Sequence, residues 1–218
     1  MIRQVSIVPA ILSDDKQDYR TQAERINYFT RRVQIDVSDG TFAPTKTLDI
    51  TNIWWPKNWE TDLHIMSARP SEMMDTVLKL SPSLCILHAE ANEDLMPTFA
   101  LLKEKGIKAG VALLQSTYPG NVEHYIKAAD HVLIFAGQLG AQGGAADLMQ
   151  MEKIPLIRNM KPEVEIGWDG GANMSNIRAI AHADIDVINV GSAISKSENP
   201  AQMFEELVAE IDKNGVVL

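Results

Sequence analysis

Short runs rich in Val, Ile and Leu recur along this chain. Most are followed by a longer stretch in which apolar residues return every three or four positions. The runs predict strands at residues 5–12, 33–37, 61–65, 84–88, 108–113, 131–136, 164–168 and 186–190. They are apolar almost throughout rather than alternating, as expected of parallel strands covered on both faces. Helical periodicity lies between them, clearest over 94–105, 121–128 and 173–183, with a final helix over 200–213. In that last segment Ala201, Phe204, Leu207, Val208 and Ile211 fall on one face of a 3.6-residue repeat. Ser71 and Asn173 are candidate N-caps. Strict strand–helix alternation points to an α/β protein, a (β/α)8 barrel of one compact domain spanning residues 1–218, with an open doubly wound sheet as the competing arrangement.

Composition narrows the function. The chain has 218 residues, 45% of them hydrophobic, enough for one domain with a large core and with no linker dividing it. A net charge of −9 and a pI near 5.0 argue against a nucleic-acid partner or an anionic membrane surface. An anionic small substrate remains compatible, because loop amides and helix N-termini bind phosphate locally. The single cysteine, Cys85, sits in an apolar run and reads as a buried hydrophobe, which fits a reducing compartment. With no membrane-length apolar run and no signal-peptide pattern in residues 1–12, the expected location is cytoplasmic.

The candidate chemistry collects at strand ends. Asp36 closes the second strand and Asp169 the seventh, so a closed barrel sets them across one mouth. Two carboxylates on opposite sides of a substrate suit proton transfer from one face of a carbon to the other. Asp39, directly before Gly40, reads as an ordinary turn-capping acid. His64 ends the third strand between these acids and completes a plausible metal set with Asp36 and Asp169. His88, ending the fourth, is a candidate to orient substrate or support the site; His124, His131 and His182 read as surface or packing residues. Gly140, Gly143 and Gly144 follow strand six, Gly170 and Gly171 strand seven, and Gly191 and Ser192 strand eight. Glycine loops on one rim let backbone amides close around a phosphate, although each alone is also an ordinary tight turn.

These segments together resemble the ribulose-phosphate 3-epimerase family along nearly the whole chain. The likeness runs from Val8-Pro9-Ala10-Ile11-Leu12-Ser13 through Ile35-Asp36-Val37, Asp39-Gly40, Phe42, Pro44, His64-x-Met66 and His88-Ala89-Glu90-Ala91. It continues through Gly106-x-Lys108-Ala109-Gly110 and Asp169-Gly170-Gly171 to Val190-Gly191-Ser192-Ala193-Ile194. The resemblance implies a TIM barrel acting on a phosphorylated ketose, D-ribulose 5-phosphate and D-xylulose 5-phosphate or a close relative. It implies a divalent metal stabilising a cis-enediolate, Asp36 and Asp169 exchanging the C3 proton, Met66 against the substrate, and a homo-oligomer. Trp54 and Trp55 are a candidate self-association patch, or else face the core.

The departures cluster where substrate should sit. Ala10 stands where the family has a substrate-contacting Ser, Ser38 where a Met is expected, and Gly167-Trp168 where Glu-Val precedes the second acid. The loop after strand six is also rewritten, as Phe135-Ala136-Gly137-Gln138-Leu139-Gly140 and onward. Gln34 replaces a family His metal ligand, and its weak, hard amide oxygen would lower metal affinity or shift preference from zinc or iron toward magnesium or manganese, or else the site is metal-free. These changes keep two other readings open: a related phosphosugar barrel with changed chemistry, and a non-catalytic sugar-phosphate-binding paralogue.

Overall fold

A computed structural model describes residues 5–140 and 143–212. Eight parallel strands close into a barrel in sequence order: β1 Ser6–Ile11, β2 Arg32–Ser38, β3 Glu60–Met66, β4 Leu84–His88, β5 Lys108–Leu113, β6 His131–Phe135, β7 Glu165–Asp169 and β8 Val187–Val190. Closure by β1 against β8, with Val8 paired to Asn189, rules out the open sheet. The α-helices are α1 Lys16–Ile26, α2 Met74–Leu80, α3 Met96–Glu104, α4 Glu123–Ala128, α5 Lys153–Met160, α6 Ile177–Ala181, α7 Ser192–Ser195 and α8 Pro200–Ile211.

Alternation is less strict than the pattern predicts. Between β2 and β3 the described elements include only a 3-10 turn, Ile50–Asn52, and two helices follow β8. Trp54 and Trp55 follow that turn. Trp54 is partly exposed with its edge to Tyr19, and Trp55 packs on the core. Ser71 is not a cap. Pro70 opens a 3-10 turn there, and Ser71 donates from its N–H and Oγ to the Glu93 carboxylate. Helix α6 begins four residues later than expected, because Asn173 and Asn176 tie the preceding segment into a side-chain-bonded turn. The final helix ends by Ile211, and residue 213 lies outside the described part.

Strand parity explains what faces the site. On β2, Val33, Ile35 and Val37 belong to the large core between strands and helices. Gln34, Asp36 and Ser38 have the opposite parity and are buried inside the barrel. An apolar layer of Leu84, Ile86, Ala112 and Leu133 fills the middle of the interior. Beneath it Arg32 bonds Asp62 and the Glu165 carboxylate, which also meets His131 Nδ1 at 2.8 Å. Gly167 is required beside that ring: a Cβ there would fall 2.6 Å from His131 Nε2. The floor is thus sealed by charges paired across strands β2, β3, β6 and β7, leaving the opposite end for a ligand. No helix among the described residues is long and apolar enough to cross a membrane.

Candidate active site

The register of β2 on β3 sets Asp36 beside His64, and Asp169 is the last residue of β7. His64 Nδ1 lies 2.9 Å from Asp36 Oδ1 and 3.7 Å from Asp169 Oδ2. From beneath, Gln34 Nε2 donates to Asp36 Oδ1 at 2.8 Å and to Asp169 Oδ2 at 2.7 Å. The two acids therefore face each other over one amide, as their strand positions predict. Asp36, His64 and Asp169 each turn a ligand atom into a group spanning no more than 4.8 Å, an arrangement that could hold a metal ion.

Burial sets the electrostatics. It raises the Asp169 carboxyl to about 6, and the neighbouring Asp36 charge adds to this, while His64, Gln34 and the Gly170 amide oppose it. For His64, burial disfavours the imidazolium, yet the bond to Asp36 and the charges of both acids carry its pKa upward. His88 lies behind His64, with their Nε2 atoms 2.9 Å apart, and burial depresses its pKa to about 4. Its Nδ1 faces Glu90 Oε2 at 3.4 Å. Asp39 behaves as the turn cap its sequence suggests, accepting from Thr41 N, Thr41 Oγ1 and Phe42 N.

A cavity of about 580 Å³, counting its open mouth, lies over this group. Asp36, His64, Met66 and Asp169 line it, as do Gly140, Gly143, Gly144, Gly170, Gly171, Gly191 and Ser192. The three glycine loops therefore meet on one rim, although residues 141 and 142 lie outside the described part. Gly170 has φ +105 and its backbone crosses that of Gly137, where a Cβ would come within 2.2 Å of the Gly137 nitrogen. Gln34 and His88 are not on the cavity wall; they stand behind the residues that are.

Two residues at the site escape the sequence patterns. Asn189 of β8 lines the cavity and is 2% exposed, hidden in a run that reads simply as an apolar strand. Lys196, following α7, brings its Nζ to 3.8 Å from where a Cβ on Gly143 would lie, placing a cation beside the glycine rim.

The model of the ribulose-phosphate 3 epimerase family matches residues 6–195. Ribulose-phosphate 3-epimerase of Schizosaccharomyces pombe is 25% identical over 211 residues, covering 94% of this chain and 92% of the relative. That of Bacillus subtilis is 26% identical over 212 residues, with 93% and 98% covered. Among solved structures, 3-hexulose-6-phosphate synthase from Salmonella typhimurium superposes with a TM-score of 0.70 at 15% identity, covering 95% of this chain and 98% of that one. This last likeness is one of fold. With the motifs, the closed barrel and a match over nearly the whole length in agreement, the chain belongs to the ribulose-phosphate 3-epimerase family, a family of isomerases.

Proposed function

We propose that the protein interconverts D-ribulose 5-phosphate and D-xylulose 5-phosphate by passing the C3 proton between Asp36 and Asp169. The observation that supports this best is the facing of the two carboxylates over Gln34 and beside His64, under a rim of glycine loops. One acid must start ionised and the other protonated. Asp169, whose buried carboxyl is lifted to about 6 beside Asp36, is suited to carry the proton while Asp36 removes one from the opposite face. In the reverse direction the roles exchange. Gln34 holds both carboxylates in place from below. Gly143, Gly144, Gly170, Gly171, Gly191 and Ser192 would hold the phosphate, with the Lys196 ammonium nearby, and Met66 would bound the sugar chain.

The donor set fits a divalent cation. Asp36, His64 and Asp169 converge, and Gln34 Oε1 is buried without a hydrogen-bond partner among the described residues. The three residues would hold the ion, and the Gln34 amide, turned about its last bond, would offer that oxygen as a hard donor. Bound there, the ion would supply Lewis acidity toward the C2 carbonyl and C3 hydroxyl and stabilise the cis-enediolate charge. Magnesium or manganese suits an amide-containing set better than zinc or iron.

The test is incubation of metal-replete protein with D-ribulose 5-phosphate in deuterated water, following C3–H exchange and xylulose 5-phosphate by NMR. Exchange with product is expected. Tight binding without exchange would replace the epimerase with a sugar-phosphate-binding paralogue. Exchange only with another ketose phosphate would move the reading to a related phosphosugar enzyme.

A further inference from the structure

Asn189, inside the barrel, is a polar side chain that neither the proton transfer nor the carboxylate scaffold employs. Asn189 is 2% exposed and lines the mouth cavity. Its Oδ1 is buried and accepts no hydrogen bond from the described residues. It pairs in register with Asp169 on one side and with Val8 on the other. Just past the end of the same strand, two and three residues on, Gly191 and Ser192 form part of the glycine rim. A buried carbonyl without a donor is costly to the folded protein, and a residue so placed on a cavity wall is explained by a ligand that brings the donor.

We propose that Asn189 is a specificity-determining residue whose carboxamide oxygen accepts the hydroxyl of the sugar carbon between the reacting carbon and the phosphate. This rests on the ketose-phosphate reading of the site. In a ketose 5-phosphate, the carbon exchanged at Asp36 and Asp169 is C3 and the phosphate hangs on C5. The carbon between them is C4. Asn189 has the matching place in the protein, beside Asp169 and two residues short of the phosphate rim. The neighbouring wall at Ala10 carries only a methyl group and supplies no competing side-chain donor. A ligand lacking that hydroxyl leaves the carbonyl orphaned, so the site discriminates by what the wrong ligand fails to satisfy.

The test compares calorimetric binding of D-ribulose 5-phosphate and its 4-deoxy analogue to the wild type and to Asn189→Leu, with Asn189→Ala as a second variant that needs no extra room. The wild type should prefer the hydroxylated sugar by roughly tenfold or more, and both variants should bind the two sugars alike. Thermal unfolding without ligand should show Asn189→Leu at least as stable as wild type, since it removes an unsatisfied polar group; a residue with a structural bond would lose stability instead. Discrimination persisting in both variants, or absent from the wild type, overturns the assignment. Deuterium exchange at C3, measured separately, reports on the epimerase reading alone: discrimination without exchange would remove the catalysis and keep the role of Asn189.

Discussion

The Nε2 atoms of His64 and His88 lie 2.9 Å apart, so one ring must donate a proton and the other accept it. Glu90 decides which. Its carboxylate faces His88 Nδ1 at 3.4 Å and is itself held by Leu114 N at 2.9 Å and by the Thr117 hydroxyl. A carboxylate there favours the proton on His88 Nδ1, making His88 Nε2 the acceptor and His64 Nε2 the donor. In the metal-free protein His64 Nδ1 donates its own proton to Asp36 Oδ1, and it would give that proton up to bind an ion with the lone pair.

Glu90→Gln should therefore weaken divalent-metal binding by about tenfold or more while leaving the fold intact, since it removes the charge that fixes the tautomer without touching a candidate ligand. Calorimetric titration with manganese reads the affinity, and 15N shifts of the histidines read the tautomer. An unchanged affinity with an unchanged tautomer would mean that Glu90 does not govern His64.

Gln34 is the residue whose replacement should change which metal binds. In place it donates to both carboxylates, at 2.8 and 2.7 Å. Gln34→His substitutes a borderline imidazole for a hard, neutral amide and should raise zinc affinity relative to manganese by about tenfold or more. Competition between the two ions, followed by mass spectrometry of the loaded protein, reads the ratio. A ratio equal to wild type would exclude this position from the coordination sphere.

Much of the fold is written in runs such as Cys85-Ile86-Leu87, because burial on both faces leaves strands no polar positions to blur. The candidate site is legible for the related reason that Asp36, His64 and Asp169 are polar breaks at the ends of such runs. What escapes is set by long-range geometry. The Arg32 bonds to Asp62 and Glu165 span 30 and 133 residues, and nothing local at Arg32 marks it as the barrel floor. His88 carries the same strand-end signature as His64, yet its place behind that ring is decided by barrel packing. The missing helix after β2 has a local cause too weak to read: the segment is taken up by turns around Asp39 and Asp49, whose carboxylates bond backbone amides.

The glycine rim distinguishes two kinds of substitution. At Gly170 an added methyl would meet Gly137 backbone at 2.2 Å, at a φ of +105. Gly144 has φ +126 but nothing within 4 Å of the same position. Gly144→Ala should cost about 1–3 kcal/mol of backbone strain and weaken phosphate binding modestly. Gly170→Ala should cost more than that and lose phosphate binding outright, because two loops must separate. Urea denaturation and phosphate titration of both proteins check this; equal effects would mean that the close approach of the loops has slack.

Asp169 stores instability that its neighbours only partly relieve, and pH should expose it. Its folded carboxyl is raised to about 6 from an ordinary 3.8, by burial first and by the Asp36 charge second. The folded state thus holds this proton more tightly than the unfolded chain. The resulting stability is fully present below about pH 4 and is lost as pH rises through about 6. In metal-free protein, Asp169→Asn should therefore be more stable than wild type at pH 7, by about 1–3 kcal/mol, and little different near pH 4. Urea denaturation at the two pH values measures the difference. The same variant should lose C3 exchange by about a thousandfold or more while still binding the sugar phosphate, since the amide fills the space but carries no proton to deliver. A metal ion would reverse the stability order by occupying the carboxylate, so adding manganese should stabilise wild type and leave Asp169→Asn nearly unmoved. If the variant is instead destabilised at pH 7 without metal, the carboxylate is already balanced by its neighbours, and burial is not what tunes it for proton transfer.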